Sequence, residues 1–406
     1  MRTSNQRTIV IVVLALCAGV AFGATPPDPD PPMLGIHWQK GAVRPVATVT
    51  APTVDRASPD VSAASKGSGT CSDCLTYHGG PILATTRILP IFWGTSWSNP
   101  AFAQDKISGL DNWHTYYPGS DYESETLSQY CSGTTSGATT CTAGANGQTF
   151  VRTAKNSGSS GVSYTPGSYV VDTTTAGSGQ KTATILSEVC AVIQKKVAAG
   201  NFTPTTSDYY PVYVDLPVSG GYCAYHSYGT CSYTPKGGKS TNVNITFAFF
   251  WNADGNVGCS SGDGPYVTAP GGSYPVSTLT GHSEGLGSLA DSTAHELAET
   301  RTDPSSPRAW TDASGSEIGD KCEWNTGYPG QVVGNAPVVK FLDNTAWVLQ
   351  PLWSNLEAID TSTRSTPPTF LPDTFAQQSL SSKGAASGSY GCVYGLSRPL
   401  NLTGAY

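Results

Sequence analysis

Charge is scarce in this sequence, and positive charge scarcest. Asp, Glu, Lys and Arg make up 13% of the 406 residues, with 22 Lys and Arg against 29 Asp and Glu, a net charge of −7. No basic patch occurs anywhere in the chain, which argues against a nucleic-acid partner, because phosphate-backbone binding needs clustered Lys and Arg. Long apolar runs are also missing. The longest, Ile9 to Val20, falls short of the ~20 residues that a membrane span requires, so no membrane partner is expected once this segment is gone. Methionine occurs twice. Met33 lies upstream of every candidate motif, so the chain has no Met-turn of the metzincin kind. Histidine and glutamate are rare as well, at six and nine residues, so a pattern combining them carries information.

What is present first points to export. Arg2 and Arg7 precede the apolar run, and Ala21-Phe22-Gly23 places small residues at −3 and −1 for cleavage before Ala24. Residues 1–23 thus read as a signal peptide. A lipoprotein reading at Cys17 fails, because the preceding Leu16 is not small. Removing Arg2 and Arg7 lowers the net charge to −9. Ten cysteines remain, at 71, 74, 131, 141, 190, 223, 231, 259, 322 and 392. An even number in an exported chain predicts up to five disulfides and a secreted, periplasmic or extracellular location. Cys131–Cys141 and Cys223–Cys231 are the local pairs to expect. Cys71-Ser72-Asp73-Cys74 has redox-motif spacing, but it does not open a helix after a strand, so a structural disulfide is expected there.

Residues 24–70 are rich in Pro, Ala, Ser and Thr and read as a disordered linker or pro-segment. From Cys71 the pattern is that of one α/β domain, residues 71–406, with a mixed sheet, flanking helices and long Gly/Ser/Thr-rich loops. Strands are expected at 88–93, 210–216 and 243–251 from their β-branched and aromatic content. Helices are expected at 102–117, 121–130, 182–199 and 286–301. In the third, Ile185, Leu186, Val189, Ile193 and Val197 share one face, and the fourth stops at Asp303-Pro304. Residues 338–342 and 346–350 suit a closing hairpin.

The strongest chemical signal is His295-Glu296-Leu297-Ala298-Glu299. On a helix, i and i+4 lie about 40° apart around the axis, so His295 and Glu299 project from one face as two ligands of a metal. Glu296 is turned by about 100° and can take a proton from water as general base. This is the arrangement of the zincin H-E-x-x-H helix, with glutamate in place of the second histidine. A third ligand is expected from Glu317-Ile318-Gly319-Asp320, with Asp320 favoured over Glu317. One zinc ion is the expected cofactor, and so carboxylate-rich a set also suits manganese or calcium. The bland alternative is a solvated acidic surface.

Gly281-His282-Ser283-Glu284-Gly285 fits the nucleophile elbow of α/β-hydrolases. That fold needs a histidine late in the chain, and His295 is the last one here. Of the other histidines at 78, 114 and 226, His226 beside Cys223 and Tyr225 is the one to watch.

The order of motifs resembles the phosphate-induced, EXORDIUM-like proteins. Leu75-Thr76-Tyr77-His78-Gly79-Gly80-Pro81 with Ile91-Phe92-Trp93-Gly94 resembles their opening, and Cys223-Ala224-Tyr225-His226 their central element. Thr302-Asp303-Pro304 is similar to a Thr-Asn-Pro segment, and Ala346 to Trp353 to their C-terminal strand. The chain looks like a branch in which these occur together with H-E-x-x-E and Glu317-Ile318-Gly319-Asp320. The resemblance implies export and fold, and no catalytic residue transfers with it.

Two functions follow as expectations. The first is a secreted metal-dependent hydrolase, a zincin-like peptidase acting on a protein or peptide through His295, Glu299, Asp320 or Glu317 and Glu296. The second is a non-catalytic envelope protein that binds polysaccharide or a partner and holds at most a structural metal.

Overall fold

The computed structural model describes residues 30–42, 71, 73–200, 202–260, 266–269, 272–275, 280–324, 331–333, 336–362, 380–381 and 390–393. The expected signal peptide and most of the 24–70 stretch lie outside these residues.

The centre is a mixed eight-stranded sheet. Its strands are β1 (Leu34–Trp38), β2 (Thr86–Ile88), β3 (Ile91–Trp93), β4 (Val162–Ser163), β5 (Val170–Asp172), β6 (Asp208–Pro217), β7 (Tyr222–Tyr233) and β8 (Thr241–Asn252). From one edge the order is β1, β7, β8, β6, β2, β4. β1, β7 and β8 pair antiparallel and the later contacts are parallel. β3 pairs with β6 and β5, also in parallel. The single strand expected at 88–93 is instead the end of β2, at Ile88, and the whole of β3. Pro90 has no N–H for the ladder, so pairing breaks there, while its carbonyl accepts from the Val170 N–H.

Side chains alternate across this sheet and divide the core in two. On one face Tyr210, Val212, Val214, Phe247 and Phe249 pack under α3 (Thr182–Ala198). Five of the helix's aliphatic side chains, Ile185, Val189, Val192, Ile193 and Val197, are buried there, each contributing roughly 1.5–3 kcal/mol. On the other face Tyr209, Tyr213, Ala224, Ala248 and Phe250 pack beneath α1 (Lys106–Tyr116), α2 (Asp121–Leu127) and α4 (Glu284–Thr302). One row of register crosses this second face, from Phe92 through Tyr213, Phe250 and Ala224 to His37. Phe92, Tyr213 and Phe250 stack along it with centroids 5.2 and 4.7 Å apart. An apolar row thus ends at a buried histidine.

Two strands differ from the sequence reading. Residues 30–42, inside the expected disordered linker or pro-segment, are ordered, and β1 forms the sheet edge. Prolines surround this segment, but Leu34-Gly35-Ile36-His37-Trp38 carries a period-two pattern that buries Gly35 and His37. The twelve-residue β7 lies where no strand was expected. The expected hairpin is present as Ala336–Lys340 against Ala346–Trp347.

All ten cysteines after residue 23 are paired: 71–74, 131–141, 190–231, 223–259 and 322–392. The expected Cys223–Cys231 pair does not form. Both lie on β7, and at ~3.4 Å per residue an extended strand holds them roughly 27 Å apart, far beyond disulfide reach. Among the described residues no helix is long and apolar enough to cross a membrane. The five disulfides fit an extracellular protein.

Candidate metal centre

The site lies where α4 crosses β1 and β7, with the 303–324 loop folded back beneath it. Ser283 caps α4, its Oγ accepting from the Leu286 N–H and donating to Asp105. The serine of G-x-S-x-G is therefore a helix cap. His282 beside it stacks on Trp347. Every residue of α4 from Gly285 to Thr302 is buried. This excludes the solvated acidic surface as an account of His295, Glu296 and Glu299.

His295 and Glu299 meet as the i, i+4 spacing requires, with Nε2 3.1 Å from Oε1. Asp320 reaches the same point, its Oδ1 4.0 Å from His295 Nε2. His295, Glu299 and Asp320 form one set of potential metal ligands. Glu317 does not join it. Its Oε1 pairs with Arg308, which also binds Asp303 at 2.7 Å. Glu296 points away from that set toward β7. There His226, Glu296 and Glu299 form a second set, with His226 Nδ1 3.3 Å from Glu296 Oε2 and 3.7 Å from Glu299 Oε2.

Hydrogen bonds around the site fix which nitrogen of each ring faces inward. Gln350 donates its amide to the Gly319 carbonyl, which turns its Oε1 toward His295 Nδ1 at 3.2 Å. That acceptor places the ring proton on Nδ1 and leaves the Nε2 lone pair facing Glu299 and Asp320. His226 Nε2 donates to the Asp303 carbonyl at 3.1 Å, so Nδ1 faces Glu296 and Glu299. Glu299 is oriented in turn by the Gly319 and Asp320 N–H groups, both donating to Oε1. The bond from Gly319 needs close approach: a Cβ on that residue would stand 2.9 Å from Glu299 Oε1.

The electrostatics match this crowding. Burial first, and then neighbouring carboxylates, push Glu296, Glu299 and Glu317 well above the usual carboxylate range. Burial lowers His226 to about 3. His295 Nε2, Glu296 Oε1, Glu299 Oε2 and Glu317 Oε2 are buried without a hydrogen-bond partner in the protein. Such atoms cost about 1–3 kcal/mol each, and more when charged. A nitrogen lone pair facing carboxylate oxygens repels them unless a proton or a metal cation lies between. The residues present therefore fit a divalent ion, by donor chemistry and by orphaned atoms alike.

Two participants were not identified from the sequence. His37, on β1, stacks on His295 with centroids 4.5 Å apart and bonds the Ser292 hydroxyl at 3.1 Å. Gln350 sits at the end of the expected hairpin. The alternation in residues 34–38 was the available sign for His37, and nothing local marks Gln350. His78 and His114 lie outside both sets: His78 bonds Thr76 and Thr311, and His114 bonds the Tyr213 hydroxyl. Comparison of the chain with protein-family models, with curated proteins and with solved structures gives no match.

Proposed function

We propose that the chain is an exported metal-dependent hydrolase with zincin-like chemistry, acting on a peptide or protein substrate. The observation that carries this reading is the convergence of His295 Nε2, its ring set by Gln350, with Glu299 and Asp320. A bound divalent ion would act as a Lewis acid on the scissile carbonyl. His295, Glu299 and Asp320 would hold it, and the Gly319 and Asp320 amides keep Glu299 in place. Glu296, with Oε1 unpartnered, takes the proton of the attacking water and returns it to the leaving amine. Arg308 pairs with Asp303 and with Oε1 of Glu317, so neither acid is offered to the ion held by His295.

Access defines a condition on this reading. His295, Glu296, Glu299 and His226 are fully buried, and Asp320, with a side chain 10% exposed, is the ligand nearest solvent. β1 lies across the site, its Trp38 N–H bonded to Glu323. Export, the signal peptide and a pro-segment form one consistent picture: β1 covers the centre until the N-terminal segment moves or is removed. The same burial favours a second reading, an exported EXORDIUM-like protein that binds polysaccharide or a partner and uses the ion structurally.

The test is to measure metal content and casein-type hydrolysis in wild type, His295→Ala and Glu296→Gln. Under the hydrolase reading, His295→Ala loses the ion bound by that set, and Glu296→Gln lowers turnover by about 10²–10⁴-fold. Metal retained with no Glu296-dependent turnover supports the structural ion. A wild-type protein without stoichiometric metal overturns both uses of the site.

A further inference from the structure

We infer that the centre holds two divalent cations bridged by Glu299, the second lying between His226 Nδ1, Glu296 and Glu299 Oε2 beneath the backbone of Gly35. This rests on the metal reading above, extends it from one ion to two, and gives Glu296 the part of a ligand in place of the general base.

The two carboxylate oxygens of Glu299 face different partners. Oε1 looks toward His295 at 3.1 Å, and Oε2 looks toward His226 at 3.7 Å. The Gly319 and Asp320 N–H bonds fix the carboxylate in that orientation. Each histidine offers its inward nitrogen because the other donates to a fixed acceptor, Gln350 Oε1 for His295 and the Asp303 carbonyl for His226. The second set thus repeats the first in kind: one imidazole nitrogen and two carboxylates, Glu296 taking the place of Asp320. A proton bridges two atoms, whereas three ligand atoms converge here, with Glu299 Oε2 buried and unpartnered.

The chain also leaves room at that point. Gly35 has φ +44°, and a Cβ built on it would fall between Glu299 Oε2 and His226 Nδ1, 2.6 Å from the latter. A cation bound to both atoms would sit near the same place, since zinc–nitrogen and zinc–oxygen distances run about 2.0–2.2 Å. Glycine is the residue that leaves this space open. Its neighbours on the same face of β1 keep to the pattern, His37 stacking on the His295 ring at the other set. Hydrolytic sites with two ions place them ~3.5–4 Å apart, a separation that one bridging carboxylate spans. The ligand chemistry, one nitrogen and two carboxylates with no thiolate, suits zinc or manganese.

The experiment strips the purified full-length protein with chelator, dialyses it against Zn²⁺ or Mn²⁺, and counts bound ions per chain by mass spectrometry. Wild type, His226→Gln and Gly35→Ala are compared, with near-ultraviolet circular dichroism to verify folding. Two ions in wild type and one in each variant is the expected result. With Mn²⁺, wild type should give an exchange-coupled paramagnetic resonance spectrum and the variants an uncoupled six-line signal. If either variant fails to fold, the other carries the count, and the wild-type manganese spectrum stands by itself. One ion in all three proteins overturns the inference and leaves the metal reading intact. One ion in wild type and none in a folded variant also overturns it, since one ion then spans both sets. No ion in wild type removes the metal reading itself.

Discussion

The two faces of the central sheet bury helices by opposite means. Under α3 the contacts are apolar, with Val and Ile of the helix set on Val, Tyr and Phe of the strands. Under α4 the helix is buried on every side with Asp291, His295, Glu296, Glu299 and Arg301 on it. Burial penalises each of those charges unless a partner is present. Two of the solutions are visible. Arg301 pairs with Glu123 at 2.5 Å, and Arg308 joins Asp303 and Glu317. The carboxylates of Glu296 and Glu299 meet histidine nitrogens and no Lys or Arg among the described residues. One face is explained by apolar burial; the other gathers buried carboxylates met by histidine nitrogens and backbone amides, and it is there that the cation is proposed.

The first way to break this comparison is Arg301→Ala. It leaves Glu123 buried without its partner and removes the bond to the Arg152 carbonyl, so a loss of about 3–5 kcal/mol is expected in urea unfolding. A loss below about 1 kcal/mol would mean that the polar face tolerates unpaired charge. The matching change on the apolar face is Ile193→Ala, which should cost about 2–5 kcal/mol and leave metal content untouched. If metal is lost there too, the two faces are not independent.

How far this contrast could be read from sequence follows from the same physics. Helix 182–198 announces itself by its apolar spacing, and its expected end differs by one residue. α4 has no apolar stripe, because it is buried all round. It was recognisable from H-E-x-x-E and from Asp303-Pro304, which explains why its chemistry was legible and its burial was not. β7 was missed because Cys223, His226, Ser227 and Gly229 break the usual strand composition. It pairs along its length with β8, the next strand, and at its start with β1, a segment nearly two hundred residues earlier in the chain. The same distance hid His37. Of the site residues expected from sequence, His295, Glu299 and Asp320 share one set and Glu296 belongs to the other with His226. Glu317 is taken up by Arg308, a long-range pairing that no local pattern encodes.

Smaller effects sharpen the account. Gln350→Leu keeps the volume and removes the acceptor that sets the His295 ring. Metal affinity should fall by about 10–100-fold, measured by competition with a chromophoric chelator, as expected when a group orienting a ligand is lost. Unchanged affinity would show that Gln350 does not position His295. Ser283→Ala removes the cap of α4 and should cost about 1 kcal/mol in thermal unfolding with no change in metal content. A change in metal content would mean that the first turn of α4 reaches the site energetically.

The central claim is that a cation sits among His295, Glu299 and Asp320. Diffraction from crystals grown with Zn²⁺, recorded on both sides of the zinc absorption edge, tests it most directly. The account predicts an anomalous difference peak about 2 Å from His295 Nε2 that vanishes below the edge and in His295→Ala crystals. Clear density for all three side chains with no anomalous peak between them would contradict it.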